Sequence, residues 1–215
     1  DYLITSTKAR IKDEILLPID HCLITRPNVQ LSDIRVVMSK QEALTQCRQF
    51  LSEKLRYSEQ IATTSTALAV TNLKEGDDRT AAIGPRRSAE LAGLPILANG
   101  IQDRENNVTR FAVLTTGGDP DKASNKTSIA FDFDSPDAPG LVYGALRPFS
   151  DRGINLLKIE SRPTGKGMGS YIFLLDFEGH IDTPHVQQAI SELKNHTATF
   201  KVLGTYPGAK DLSIR

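Results

Sequence analysis

The stretch that most constrains this chain runs from Gly153 to His180, GINLLKIESRPTGKGMGSYIFLLDFEGH. It reads as two strands joined by a glycine-rich loop. Ile154, Leu156 and Ile159 supply the apolar residues of the first strand. In the second, Tyr171, Phe173, Leu175 and Phe177 alternate with Ile172, Leu174 and Asp176. Alternation with a period of two marks a sheet with one face buried. Pro163 has no N–H to give a ladder, so the first strand should end there. Glu160 and Arg162 then stand at a strand end beside a loop, where a small zwitterion could be held. On pattern alone the same residues read equally as an ordinary hairpin with solvated charges.

The flanking segments extend the pattern. A strand is expected over Thr127 to Phe133. A helix follows over Pro139 to Arg152, with Leu141, Ala145, Leu146 and Phe149 at helical spacing and Gly153 as its C-terminal stop. Downstream, Val186, Ile190 and Leu193 form one stripe of a helix over Asp182 to His196, and Thr199 to Gly204 reads as a last strand. The order β-α-β-β-α-β is the split βαβ arrangement of ferredoxin-like folds.

The first half alternates strands with helices. Asp1 to Lys12 reads as a helical or irregular lead-in, and Leu16 to Thr25 as one strand containing His21. No second metal-type ligand stands at metal spacing from His21, so it reads as a structural histidine. Ile34 to Met38 is a short strand. Ser39-Lys40-Gln41-Glu42 has the S-x-x-E form of a capping box, opening a helix with Ala43, Leu44, Cys47, Phe50 and Leu51 inward. A helix N-terminus there would also suit a carboxylate. Thr63-Thr64-Ser65-Thr66 precedes a second helix through Leu73. Thr80 to Gly84 is a buried strand, Pro85 opens a helix that Gly93 closes, and Leu94 to Ala98 is a further strand. This alternation argues for an α/β layer with a mostly parallel sheet whose helix N-termini converge on one edge. Asn107 to Arg110 reads as a surface turn entering a strand from Phe111 to Leu114. Gly117-Gly118-Asp119-Pro120-Asp121-Lys122 has linker composition. The expected domains are therefore 1–122 and 123–215.

Charge and composition limit the function classes. Lys+Arg and Asp+Glu both number 26 in 215 residues, so net charge argues for neither nucleic acid nor an anionic membrane as partner. No apolar run approaches the ~20 residues of a membrane helix. No signal peptide is evident, and Cys22 and Cys47 sit among apolar neighbours as buried free thiols would. These features fit a cytoplasmic setting. No metal or cofactor is expected.

The C-terminal motifs resemble the ACT domain of prephenate dehydratases: Pro139-Gly140-Leu141-Val142, Gly153-Ile154-Asn155-Leu156, Glu160-Ser161-Arg162-Pro163, and Phe173 through His180. The family turn usually reads Gly-Ala-Leu; here it is Gly140-Leu141-Val142. The resemblance implies L-phenylalanine as effector, held between two subunits, and a homodimer or homotetramer through ACT domains. Gly140, Leu141, Val142, Asn155, Leu156, Glu160, Ser161, Arg162 and Pro163 would form its site.

Residues 1 to about 116 are similar to the catalytic region of the same family. The similarity runs through Ile19 to Leu23, Ser39, Gln46-Cys47, Ser65-Thr66-Ala67, Ala81 to Ile83, and Asn107 to Phe111. It implies part of a two-lobed, periplasmic-binding-protein-like α/β catalytic domain acting on prephenate. Thr109, Arg110 and Phe111 match the Thr-Arg-Phe signature and would be catalytic. Ser39, Gln46, Ser65, Thr66 and Asn107 would bind substrate. Arg110 would either orient the carboxylate or pair with an acid of the first lobe. The family carries a further N-terminal stretch with a glycine-rich opening and a Glu-Asn motif; neither precedes Asp1, so the resemblance implies an incomplete catalytic unit. The expected function is conversion of prephenate to phenylpyruvate with loss of water and CO2, regulated by phenylalanine. A non-catalytic phenylalanine-binding module and an arogenate dehydratase are the alternatives.

Overall fold

The computed structural model describes residues 7–104, 107–133, 138–164 and 170–209. The chain separates into two compact units, Leu17–Thr109 and a second built from Asp1–Leu16 with Arg110–Arg215.

Unit Leu17–Thr109 is a five-stranded sheet with helices against it. Its strands are β2 (His21–Ile24), β3 (Val36–Lys40), β4 (Glu59–Thr63), β5 (Thr80–Pro85) and β6 (Ile96–Ala98), in the order β4-β3-β5-β2-β6. Its helices are α1 (Gln41–Gln46), α2 (Arg48–Lys54), α3 (Thr66–Leu73) and α4 (Arg86–Ala92). β3 pairs parallel with β4 and β5, but β2 pairs antiparallel with β5 and β6. The sheet is mixed rather than mostly parallel, because β2 runs antiparallel to both of its neighbours. Leu23, Val37, Ala81 and Ile83 pack with Leu44, Cys47 and Leu51 in one core cluster, and Cys22, Ile24 and Ala82 with Ala69, Val70, Leu73 and Ala89 in another. Neighbouring β2 residues thus serve different clusters, which is why its sequence HCLI has no polar alternation.

Several local expectations change. The region expected as one strand from Leu16 to Thr25 is two: β1 (Arg10–Pro18) and β2, broken at Ile19-Asp20. β1 also replaces the irregular lead-in expected up to Lys12. Pro18 cannot continue a ladder, and the Ile19 N–H turns to the Asn107 carbonyl at 2.7 Å. The expected long helix is interrupted at Cys47, the junction of α1 and α2. The Ser39 capping box does not form. Lys40 is the N-cap without a side-chain cap, and Ser39 is the buried penultimate residue of β3. Gly93 does close α4, in the left-handed region at φ 67°.

The other unit contains β8 (Lys126–Asp132), α5 (Leu141–Ser150), β9 (Leu156–Pro163), β10 (Tyr171–Glu178), α6 (Pro184–Lys194) and β11 (Thr199–Tyr206). This is the expected β-α-β-β-α-β order, with an antiparallel sheet β11-β8-β10-β9. Phe173, Leu175 and Phe177 join Ile129 and Phe131 under Ala145, Phe149, Val186, Ile190 and Leu193 of the two helices. Both faces of the sheet are covered, not one. Ile172 and Leu174 pack against a second cluster of Ile11, Ala130, Leu203 and Tyr206. Ile11 belongs to β1, which pairs with β7 (Val108–Thr115) as a two-stranded ribbon. Gly204 allows this cover, since any Cβ there would collide with the Ile11 backbone carbonyl.

Candidate active site

In unit Leu17–Thr109, β3, β4 and β5 run parallel, so their C-terminal ends share one edge. Three helices start from it: α1 after Lys40, α3 after Ser65, α4 after Pro85. β2 runs the other way, and its first residue, His21, pairs with Pro85 at the same edge. Ser65 caps α3; its Oγ accepts the Leu68 N–H at 3.0 Å. Thr66 is the first residue of α3, and both side chains are half-buried. This N-terminus, with free N–H groups and its positive dipole end, can receive a carboxylate. Ser39 is committed differently. Its hydroxyl donates to the Ile83 carbonyl at 2.6 Å inside the sheet, holding β3 to β5.

Gln46 lies at the end of α1, and its Oε1 is a meeting point. It lies 2.8 Å from His21 Nε2 and accepts from Asn107 Nδ2 at 3.1 Å. The structure therefore brings together Gln46 and Asn107, and adds His21. Backbone bonds fix the two outer partners. The Ile19 N–H holds the Asn107 carbonyl, the His21 N–H donates to Gln102 Oε1 at 3.0 Å, and the Ile101 N–H donates to the His21 carbonyl at 3.1 Å. His21 is buried, and its Nδ1 has no partner among the described residues. The sequence placed His21 in a strand but could not place it against Gln46, because 25 residues separate them.

Cys22 and Cys47 are buried free thiols, and burial pushes the Cys47 thiol up to about 12. Neither can serve as a thiolate nucleophile near neutral pH. Among the described residues no group of His, Cys, Asp or Glu could hold a metal ion.

Thr109 and Arg110 are neighbours on β7 and point to opposite faces of the strand. Thr109 is exposed; Phe111 is half-exposed. Arg110 enters a charged cluster. Its Nε meets Glu14, its Nη1 lies 2.6 Å from Asp176 Oδ2, and its Nη2 donates to Tyr206 Oη at 2.6 Å. Lys126 Nζ lies 2.9 Å from Glu14, and Ser128 bonds both Asp176 and Tyr206. Arg110 thus finds acids on β1 and β10. Burial alone would lower its pKa, but Tyr206, Asp176 and Glu14 outweigh that and the net shift is upward. For Glu14 burial pushes upward, yet the Ala209 N–H, Lys126 and Arg110 together hold its carboxyl below the usual value. Burial raises the Tyr206 phenol to about 12.

The expected effector residues fall in two places. Gly140 caps α5 at φ 88°, and its carbonyl accepts the Gly144 N–H at 2.8 Å. Leu141 and Val142 form the first turn. The Asn155 carbonyl accepts the Glu178 N–H at 3.0 Å, and Leu156 opens β9. On β9, Ser161 and Pro163 oppose Phe173 and Tyr171 on the helix-covered face, whereas Glu160 and Arg162 oppose Leu174 and Ile172 on the other. Glu160 lies 2.7 Å from both Lys158 Nζ and Arg162 Nε. The Lys158 bond, then that of Arg162, lowers the Glu160 pKa. The loop at 165–169 lies outside the described residues.

Comparison with known proteins supplies the context for this geometry. A family model described as prephenate dehydratase matches residues 1–118, and one described as ACT domain matches residues 130–195. A bifunctional chorismate mutase/prephenate dehydratase from Neisseria gonorrhoeae is 36% identical, over 96% of this chain and 57% of its own. The Arabidopsis thaliana arogenate dehydratase/prephenate dehydratase 1 is 36% identical, over 95% of this chain and 56% of its own. The chain thus spans little more than half the length of these curated relatives. The crystal structure of an Arthrobacter aurescens prephenate dehydratase in complex with L-Phe is similar at a TM-score of 0.86, with 36% identity over 96% of this chain and 69% of that one. With both family models matched in this order, the chain belongs to the prephenate dehydratase family.

Proposed function

We propose that the protein converts prephenate to phenylpyruvate and that phenylalanine regulates it through the ACT domain. The observation that carries this reading is the consecutive match to the prephenate dehydratase and ACT models within one chain. The phenylalanine-bound relative supports the effector. The proposed domains are 1–122, catalytic, and 123–215, regulatory.

In this reaction the C–COO⁻ bond breaks and its electron pair aromatises the ring. The ring C–O bond breaks with protonation of the leaving oxygen, releasing CO2 and water. A strong cation on the departing carboxylate would oppose the step, because that charge vanishes in the transition state. The arrangement suits this need: Arg110 is occupied by Glu14 and Asp176. The pyruvyl carboxylate, which keeps its charge, suits the α3 N-terminus at Ser65 and Thr66. Gln46 and Asn107 add amide groups. Thr109 is the proposed donor of a hydrogen bond to the leaving oxygen. A positioned donor contributes ~10²–10⁴-fold, so Thr109→Ala should cut turnover at least 100-fold. Unchanged turnover in that variant would remove Thr109 from the mechanism.

Effector coupling of ~1–3 kcal/mol, roughly 5–150-fold in affinity, is the ordinary range for such regulation. Self-association through the ACT domain is part of the proposal. β9 is an edge strand, and Leu157 and Ile159 on it are 45% and 46% exposed. An unpaired apolar edge of this kind invites pairing with a second copy. A cytoplasmic setting is proposed on the same family ground. Arogenate is the second reading for the substrate, favoured by the identity to the Arabidopsis relative.

A further inference from the structure

We propose that His21 is a positioning residue: its Nε2–H locks the Gln46 carboxamide so that the amide NH2 is presented to the ligand. The inference rests on the dehydratase reading for the identity of that ligand, and on geometry alone for the lock.

The proton assignment follows from the shared acceptor. Gln46 Oε1 takes two contacts, from His21 Nε2 at 2.8 Å and from Asn107 Nδ2 at 3.1 Å. A carboxamide oxygen has no proton to give, so the ring carries its proton on Nε2. Turning the Gln46 amide around alone would set its NH2 against the NH2 of Asn107 and leave two donors facing each other; only a joint reversal of both amides, with His21 Nε2 as acceptor, avoids this, and the ring tautomer tells the two apart. With both contacts on Oε1, the NH2 is the uncommitted end of the side chain among the described residues. It is a fixed donor suited to a carboxylate or keto oxygen.

The cost of this arrangement argues against a role in packing alone. His21 Nδ1 is buried and has no hydrogen-bond partner among the described residues. An apolar side chain of similar volume would fill the space without that desolvated acceptor. The bond at Nε2 is what the ring offers that a phenylalanine or leucine cannot. The ring has little freedom to leave it, because the His21 backbone is held on both sides, by Gln102 through its N–H and by Ile101 through its carbonyl.

Two measurements test the proposal. Nitrogen-15 NMR of the His21 ring in the protein reads the tautomer and needs no substrate. A single Nε2–H tautomer is expected, with its ring signals shifted in Gln46→Ala; an Nδ1–H tautomer overturns the lock. Steady-state kinetics with prephenate reads the consequence. His21→Gln places an amide NH2 near the position of Nε2 and should stay close to the wild-type KM. His21→Asn cannot reach and should raise KM roughly 3- to 10-fold, the worth of one hydrogen bond, with kcat less affected. In a Gln46→Ala background the Asn substitution should add nothing further. Equal KM increases on both backgrounds, or a Gln variant as impaired as Asn at equal thermal stability, overturn the proposal. A protein without prephenate turnover would fail the dehydratase reading instead, and the tautomer would still decide whether the lock exists.

Discussion

Arg110 and Asp176 are joined by an ion pair at 2.6 Å, so the arginine of the Thr-Arg-Phe segment is anchored to β10, one of the two inner strands of the ferredoxin-like sheet. Asp176 is the polar member of an otherwise apolar alternation. Its position is explained by this partner, by Ser128, and by Lys126 at 3.9 Å. A buried carboxylate without such partners would be expelled or protonated.

Removing the guanidinium should therefore be costly. Arg110→Met keeps much of the side-chain volume but leaves Glu14 and Asp176 with Lys126 as their remaining nearby cation. Breaking one partner of a buried pair costs about 3–5 kcal/mol, and Lys126 should hold the loss to the lower end of that range. Urea unfolding of wild type and variant measures it. A loss below about 0.5 kcal/mol, the level of an ordinary surface substitution, would show that the cluster is not structural.

The same cluster sets a response to acid. The folded pKa of Glu14 lies below its ordinary value of 4.5, so the folded state holds the carboxylate more strongly than the unfolded chain does. The stabilisation is then fully present above 4.5 and is lost as pH falls through the lower folded value. Glu14→Gln should lower stability at neutral pH and flatten its decline below pH 4.5, as read by thermal unfolding across acid pH. Parallel declines in wild type and variant would contradict the assignment.

Gly140 makes a separate prediction about regulation. Its φ of 88° is a conformation that side chains adopt only under strain, although open space surrounds the place a Cβ would take, with no atom of the other described residues beyond its chain neighbours within 4 Å. Gly140→Ala should thus misplace the first turn of α5 without a clash, at about 1–3 kcal/mol. Phenylalanine binding measured by calorimetry should weaken, while turnover in its absence stays near wild type. Undiminished binding would take this turn out of the effector site.

Much of this fold is legible in the sequence because local signals agree with it. The alternation of Tyr171 to Phe177, the glycine stop at Gly153 and the helix start at Thr63 to Thr66 all fall where the structure has them. Ser39 misled because S-x-x-E is a local signal, while the fate of its hydroxyl was settled by Ile83, 44 residues away. β4 left no trace: all its residues are exposed or half-exposed, so no burial pattern marks it. Gln46 and Asn107 entered the candidate site through the family resemblance, and nothing in their own pattern showed them as a cluster. His21 reaches Gln46 across 25 residues, and Arg110 reaches Asp176 across 66. Such pairs are fixed by strand order, which single-residue patterns do not encode.

The most direct measurement is turnover of prephenate by the purified protein, followed as phenylpyruvate formation with and without L-phenylalanine. Phenylpyruvate is expected to form, and added phenylalanine to change the rate. A folded protein that binds phenylalanine saturably yet forms no phenylpyruvate would contradict the central claim and identify a phenylalanine-binding module without catalysis.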